Sequence, residues 1–112
     1  MSELGGLSVR ELRARRRRLA RALGDLELYL PGTLQRQGRR CGRPGCRCAR
    51  GALHGPYPYL AVRGGGRGRL LYLPEGLFEP VRRRLELSAR LEGALREIGA
   101  INLELLSRRK LD

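Results

Sequence analysis

Residues 57–73 read YPYLAVRGGGRGRLLYL, two short runs of Tyr, Leu and Val either side of a glycine cluster. Leu60 and Val62 alternate against Tyr57, Tyr59 and Ala61, and Leu71 and Leu73 alternate against Leu70 and Tyr72. A period of two predicts a sheet with one buried face. Gly64, Gly65 and Gly66 supply the hairpin connection between strands at Tyr57–Arg63 and Arg67–Leu73, and Pro58 restricts how the first of these starts or pairs. Thr33 to Arg39 offers a third strand. With the leucines buried, the other face displays Tyr57, Tyr59, Arg63 and Tyr72. Strict alternation puts Arg67 and Arg69 on the leucine side, so they reach the outer surface only at the hairpin tip or through a bulge at Gly68.

Helical patterns flank this sheet. Leu7-Ser8-Val9-Arg10-Glu11-Leu12 is a helix start, with Ser8 as N-cap, Glu11 reaching back to complete a capping box and Leu7 stapled onto Leu12. Leu12, Leu19, Leu23, Leu26 and Leu30 then form one apolar stripe that predicts a helix ending near Pro31-Gly32. Beyond the sheet, Pro80 suits a first helical turn, and Leu87, Leu91, Ala94, Ile98, Ile101 and Leu105 recur every three or four residues. A helix from 80 to 109 spans about 45 Å, too long to lie wholly across three strands. Gly93 and Gly99 weaken it while permitting close approach. The expected fold is α+β in one domain: an N-terminal helix (1–30), a small antiparallel three-stranded sheet with a metal-knot loop (31–76) and a long C-terminal helix (77–112). The helices pack as an antiparallel pair or as a coiled-coil-like dimer.

Every cysteine and the only histidine fall within residues 41–54. Cys41, Cys46, Cys48 and His54 form C-x4-C-x-C-x5-H, a set of three thiolates and one imidazole that matches a closed, tetrahedral structural zinc site. Four protein ligands leave no position for a substrate water. Gly42, Pro44 and Gly45 suit a tight turn between the first two sulfurs. Zn²⁺ with three thiolates carries a charge of −1, which Arg39, Arg40, Arg43, Arg47 and Arg50 offset. An iron centre, a reactive thiol, or a disulfide from Cys41 to Cys46 or Cys48 are the alternatives, because the spacing differs from paired C-x2-C hooks.

The string CGRPGCRCARG followed by HGPYPYL resembles the signature C-G-x-P-x-C-x-C...H-G-P-Y-x-Y-L of a family of small, uncharacterised bacterial and archaeal proteins. The resemblance runs from Pro31 to about Arg84 and includes the Pro31-Gly32-Thr33 element before the cysteines and Tyr72-Leu73-Pro74 before the last helix. Pro58 stands where the signature carries a larger residue. The family has no assigned function; the resemblance implies an association with mobile-element and transposase genes. By topology alone, the strand and helix order is also similar to the sheet-plus-helix DNA-binding modules of tyrosine recombinases, which lay a sheet in the major groove.

The chain has 112 residues, 24 Lys and Arg against 11 Asp and Glu, and a formal charge of +13. Between Glu27 and Glu75 there is no acidic residue. A field of that sign favours a polyanionic partner. The candidate nucleic-acid-binding residues are Arg36, Arg39, Arg40, Arg43, Arg47, Arg50, Tyr57, Tyr59, Arg63, Arg67, Arg69 and Tyr72, combining phosphate contact with base stacking. Arg13 and Arg15 to Arg18 read as a second phosphate-binding strip or a solvated helix face. The expected function is a non-enzymatic, zinc-stabilised nucleic-acid-binding module, DNA favoured over RNA. Alternatives are an RNA-binding protein or an adaptor that docks a protein partner, or a second copy, through the helical seam. A metal nuclease needs carboxylates beside open coordination positions, which the central region lacks. The N-terminus has no apolar signal region and no run is long enough to span a membrane, so the expected location is cytoplasmic.

Overall fold

The computed structural model describes residues 3–64 and 68–111. They form a helix α1 (Val9–Arg21), three antiparallel strands β1 (Gly32–Arg39), β2 (His54–Val62) and β3 (Arg69–Tyr72), and a helix α2 (Phe78–Ser107). Short 3-10 turns lie at Glu3–Gly6, Leu26–Leu28 and Arg47–Arg50. This is the expected α+β order. The chain divides into two compact units, one made of Met1–Tyr29 with Leu87–Asp112 and the other of Leu30–Glu86. Among the described residues, no helix is long and apolar enough to cross a membrane.

The first unit is an antiparallel helix pair within one chain. Ser8 Oγ accepts the Glu11 N–H at 3.0 Å and Glu11 Oε1 accepts the Ser8 N–H at 3.0 Å, so the capping box closes as the sequence predicts. Leu12, Ile101 and Leu105 form a fully buried cluster on which Leu4, Leu7, Val9 and Leu19 pack. Most of the basic run beside it serves this pairing: Arg13 Nη2 donates to the Lys110 carbonyl at 3.3 Å, Arg16 Nη1 donates to Asn102 Oδ1 at 2.7 Å, and Arg15 lies 3.9 Å from Glu3 and 4.0 Å from Glu97. At the far end of α2, Arg108 donates to the carbonyls of Leu7, Leu4 and Gly5. Three of the five arginines of the expected strip are therefore engaged within the helix pair, while Arg17 and Arg18 lie on its exposed face.

One boundary differs from expectation. α1 stops at Arg21 rather than near Pro31, because Gly24 (φ 24°) and Asp25 (φ 46°) turn the chain out of the right-handed helix. Glycine and aspartate tolerate that region better than most residues. The leucine stripe continues past the break in sequence, but Leu26 is exposed.

The Ser8 cap yields a measurable expectation. The backbone N–H and then the hydroxyl of Ser8 hold the Glu11 carboxyl below its ordinary pKa. A lowered folded-state pKa contributes stability that is present above the ordinary glutamate range and is lost as pH falls through the folded value. Ser8→Ala should cost about 1 kcal/mol at neutral pH. The deficit should narrow in acid without vanishing, since the hydroxyl also accepts a backbone N–H; denaturant unfolding at both pH values measures it.

In the second unit the strand order is β1-β2-β3. Leu34 lies opposite Leu60 and Leu60 opposite Leu71, while Gln35 lies opposite Tyr59 and Tyr59 opposite Tyr72. One face is thus leucine-rich and the other carries the tyrosines. β2 begins at His54, three residues earlier than predicted, and absorbs Pro58, whose carbonyl accepts the Leu73 N–H at 3.0 Å. The segment 65–67 of the predicted hairpin, with Arg67, lies outside the described residues. Leu60 and Leu73 are buried but Leu71 is exposed, so only the centre of the leucine face is covered.

The tyrosine face corrects one assignment. Tyr59, expected on the outer surface, is 6% exposed. It sits on the central strand, with the Arg39 guanidinium 4.7 Å above its ring and Tyr72 edge-on at 5.7 Å. A ring flanked in register by a second ring and capped by a cation is covered even on a solvated face.

Candidate metal centre

The ligand loop starts where β1 loses its regular register. A bulge between Gln37 and Arg39 pairs Arg39 with His54, and Gly38 permits it, since a Cβ there would stand 2.8 Å from that of Leu53. Arg43, Pro44, Gly45 and Cys46 then make a β-turn closed by the Cys46 N–H on the Arg43 carbonyl at 3.3 Å. Proline at the second position and Gly45 at φ 79° define type II geometry. The 3-10 turn Arg47–Arg50 follows, held by Ala49 N–H to the Cys46 carbonyl at 3.1 Å and ended by Gly51 at φ 113°. Two tight turns bring the second and third cysteines back over the first, and β2 delivers His54 as its first residue.

The result is a cluster of four ligand atoms, from Cys41, Cys46, Cys48 and His54, all within 4.8 Å of one another. Cys41 Sγ lies 3.5 Å from Cys48 Sγ, and Cys46 Sγ 3.2 Å from His54 Nε2. Metal–sulfur bonds of about 2.3 Å imply tetrahedral edges of about 3.8 Å between sulfurs; the Cys41–Cys48 separation approaches that value. It is far longer than the roughly 2.05 Å of a disulfide. Cys48 is buried, Cys46 and His54 are half-buried and Cys41 is exposed. The four residues can hold one metal ion.

The thiols differ electrostatically. The Cys41 N–H points at Cys48 Sγ from 3.3 Å. That backbone hydrogen bond leads the causes that lower the Cys48 pKa to about 7, with help from the Cys41 and Cys46 side chains and His54, against the opposing effect of burial. For Cys41 the Arg43 backbone hydrogen bond pulls the other way, but the Cys46 and Cys48 thiols and desolvation outweigh it and raise the pKa. The site therefore offers one readily formed thiolate at its buried centre, which suits metal capture.

Beside the ligands is a recess of about 350 Å³ lined by Arg39, Arg40, Cys41, Arg43, Cys46, His54 and Tyr57. Four of the predicted nucleic-acid residues thus meet at the metal cluster. Arg47 and Arg50 are exposed on the adjacent 3-10 turn, and Tyr72 stands 6.3 Å from Tyr57. The remaining candidates lie elsewhere. Arg36 is on the leucine face with its guanidinium 4.8 Å over Phe78, Arg69 lies opposite Val62 on that same face, and Arg63 follows β2 with its N–H 3.5 Å from the Pro31 carbonyl. Gln35 and Gln37 share the tyrosine face and are joined by a 3.1 Å side-chain hydrogen bond. They were not among the expected site residues, although their alternation in β1 was a usable signal.

Fold and site together define a small α+β domain in which a three-stranded antiparallel sheet carries a cluster of three cysteines and one histidine that could hold a metal ion. The chain belongs to the family DUF6788, a domain of unknown function, whose model matches residues 9–83. That span includes α1, the whole sheet, all four ligand residues and the first turn of α2. No curated protein and no solved structure matches the chain.

Proposed function

We propose that the chain is a non-enzymatic nucleic-acid-binding module, with DNA favoured over RNA, in which Cys41, Cys46, Cys48 and His54 hold a structural zinc ion. The observation that carries this reading is the recess in which Arg39, Arg40, Arg43 and Tyr57 line up beside the ligand cluster. Three guanidiniums around one depression suit phosphate oxygens, to which arginine donates in paired geometry. The three-sulfur, one-nitrogen donor set suits zinc, and four protein ligands serve stability rather than catalysis. The metal would lock the loop and hold the arginines at fixed spacing. The likeness of the cysteine motif to mobile-element-associated proteins supports a role beside a transposase or a related system.

The test is salt-dependent binding to duplex DNA and to RNA, with the double variant Arg40→Glu/Arg43→Glu alongside. Wild type should bind with a steep negative slope of log K against log salt. The variant should bind more weakly whatever the sequence, its slope shallower by roughly 0.7 to 0.9 for each phosphate that it no longer neutralises. Equal, salt-insensitive affinities would sink the proposal. A second reading, a protein adaptor, draws on Leu95, Leu103 and Leu106, which stand exposed on α2; it gains if no nucleic acid binds and a partner protects those leucines.

A further inference from the structure

The tyrosine face narrows the kind of nucleic acid involved. We infer that the ligand is an unpaired strand whose bases stack on Tyr72 and Tyr57 while its phosphates run along Arg39, Arg40 and Arg43; this rests on the nucleic-acid reading above. Tyr72 is 54% exposed and Tyr57 37% exposed. Their ring centroids lie 6.3 Å apart and their planes cross at 77°. Bases seated on two nearly perpendicular rings cannot remain stacked on each other, so they must be splayed. A duplex hides its base faces within the stack, whereas a single strand offers them freely. Tyr59 supplies a buried floor that fixes Tyr72 from one side, and Arg39 closes over the same floor. Because Tyr57 belongs both to the ring pair and to the lining of the basic recess, stacking and phosphate contact are continuous. A basic groove joined to aromatic platforms is the arrangement that binds single strands with little sequence preference. The acid-free stretch from 28 to 74 leaves no carboxylate within the sheet to repel the backbone.

The experiment compares a mixed-sequence single-stranded DNA, the same sequence as RNA, and the corresponding DNA duplex, using the metal-loaded 112-residue chain at several salt concentrations. The single strands should bind at least about tenfold more tightly than the duplex. Tyr72→Leu, which retains apolar bulk over Tyr59, should weaken single-strand binding by about fivefold to 150-fold with little change in salt slope, and Tyr72→Phe should retain it. Tyr57→Leu repeats the test at the second ring should Tyr72→Leu perturb folding, which near-ultraviolet circular dichroism monitors. Duplex affinity equal to or above that of the single strands overturns the inference, as do unchanged single-strand affinities in both leucine variants. If Arg40→Glu/Arg43→Glu still weakens binding and flattens the salt slope in that case, the nucleic-acid reading stands and only the single-strand inference fails. Absence of salt-dependent binding to all three probes overturns the nucleic-acid reading itself.

Discussion

Treatment with a chelator, or replacement of Cys48 by Ser, should erase the ordered tyrosine signal of the sheet if the cluster holds the proposed ion. Within Leu30–Glu86 the buried residues among those described are Cys48, Tyr59, Leu60 and Leu73, a core too small to offset the ordering of that much backbone. Cys48 is one of the four, and its burial has value only if its thiolate is partnered. A structural zinc contributes about 10–16 kcal/mol of folding free energy, comparable to the whole stability of an ordinary domain at about 5–15 kcal/mol. Tyr57, Tyr59 and Tyr72 all lie in the sheet and the chain has only four tyrosines, so near-ultraviolet circular dichroism reads this unit almost alone. We expect one metal per chain by elemental analysis and collapse of the signal on chelation. A metal-free chain that keeps its tyrosine spectrum and melting temperature, with thiols open to alkylation, would transfer the cluster to thiol chemistry.

Leu105→Ala should be among the most damaging single substitutions in the helix pair. Leu105 and Leu12 are both 0% exposed and share a cluster with Ile101. Truncating such a leucine costs about 2–5 kcal/mol through lost transfer energy and the cavity left behind. Each kcal/mol lowers the melting temperature of a domain near this size by about 4–8 °C. Leu12→Ala should cost a similar amount, and the double variant less than the sum, because the two sites share one cavity. The contrast is Leu103→Ala, at a residue 68% exposed, which should change stability by no more than about 0.5 kcal/mol. Comparable losses at Leu103 and Leu105 would mean that the exposed side of α2 is covered in solution.

What the sequence disclosed follows from the range of each interaction. Ser8 and Glu11 are three residues apart, so their capping box is readable from four letters. The four candidate ligands fall within fourteen positions and needed only two turns, signalled by Pro44, Gly45 and Gly51, to converge. The spacing from Leu87 to Leu105 likewise gave the buried side of α2. Long-range facts were harder. Tyr59 alternates as an outward residue, and its burial depends on Tyr72 and on Arg39, brought near by strand register and by the bulge at Gly38. Nothing within a few residues of Tyr59 announces either neighbour. The end of α1 was misread because the leucine stripe runs on to Leu30, while two residues, Gly24 and Asp25, decide the backbone. The dispersal of Arg36 and Arg69 to the leucine face was written in the alternation, though nothing near Arg36 in sequence placed it above Phe78.

The division of the chain carries a last consequence. The helix pair is assembled from residues before Leu30 and after Glu86, so the sheet segment is a loop that the pair must close. Closing a flexible loop costs entropy that grows with the logarithm of its length. Every residue of that segment that is ordered within the sheet or the cysteine loop is one fewer in the flexible part of the loop. Order around Cys48 thereby lowers the entropic cost of bringing Leu12 to Leu105, although the cluster that holds both leucines takes no residue from that segment.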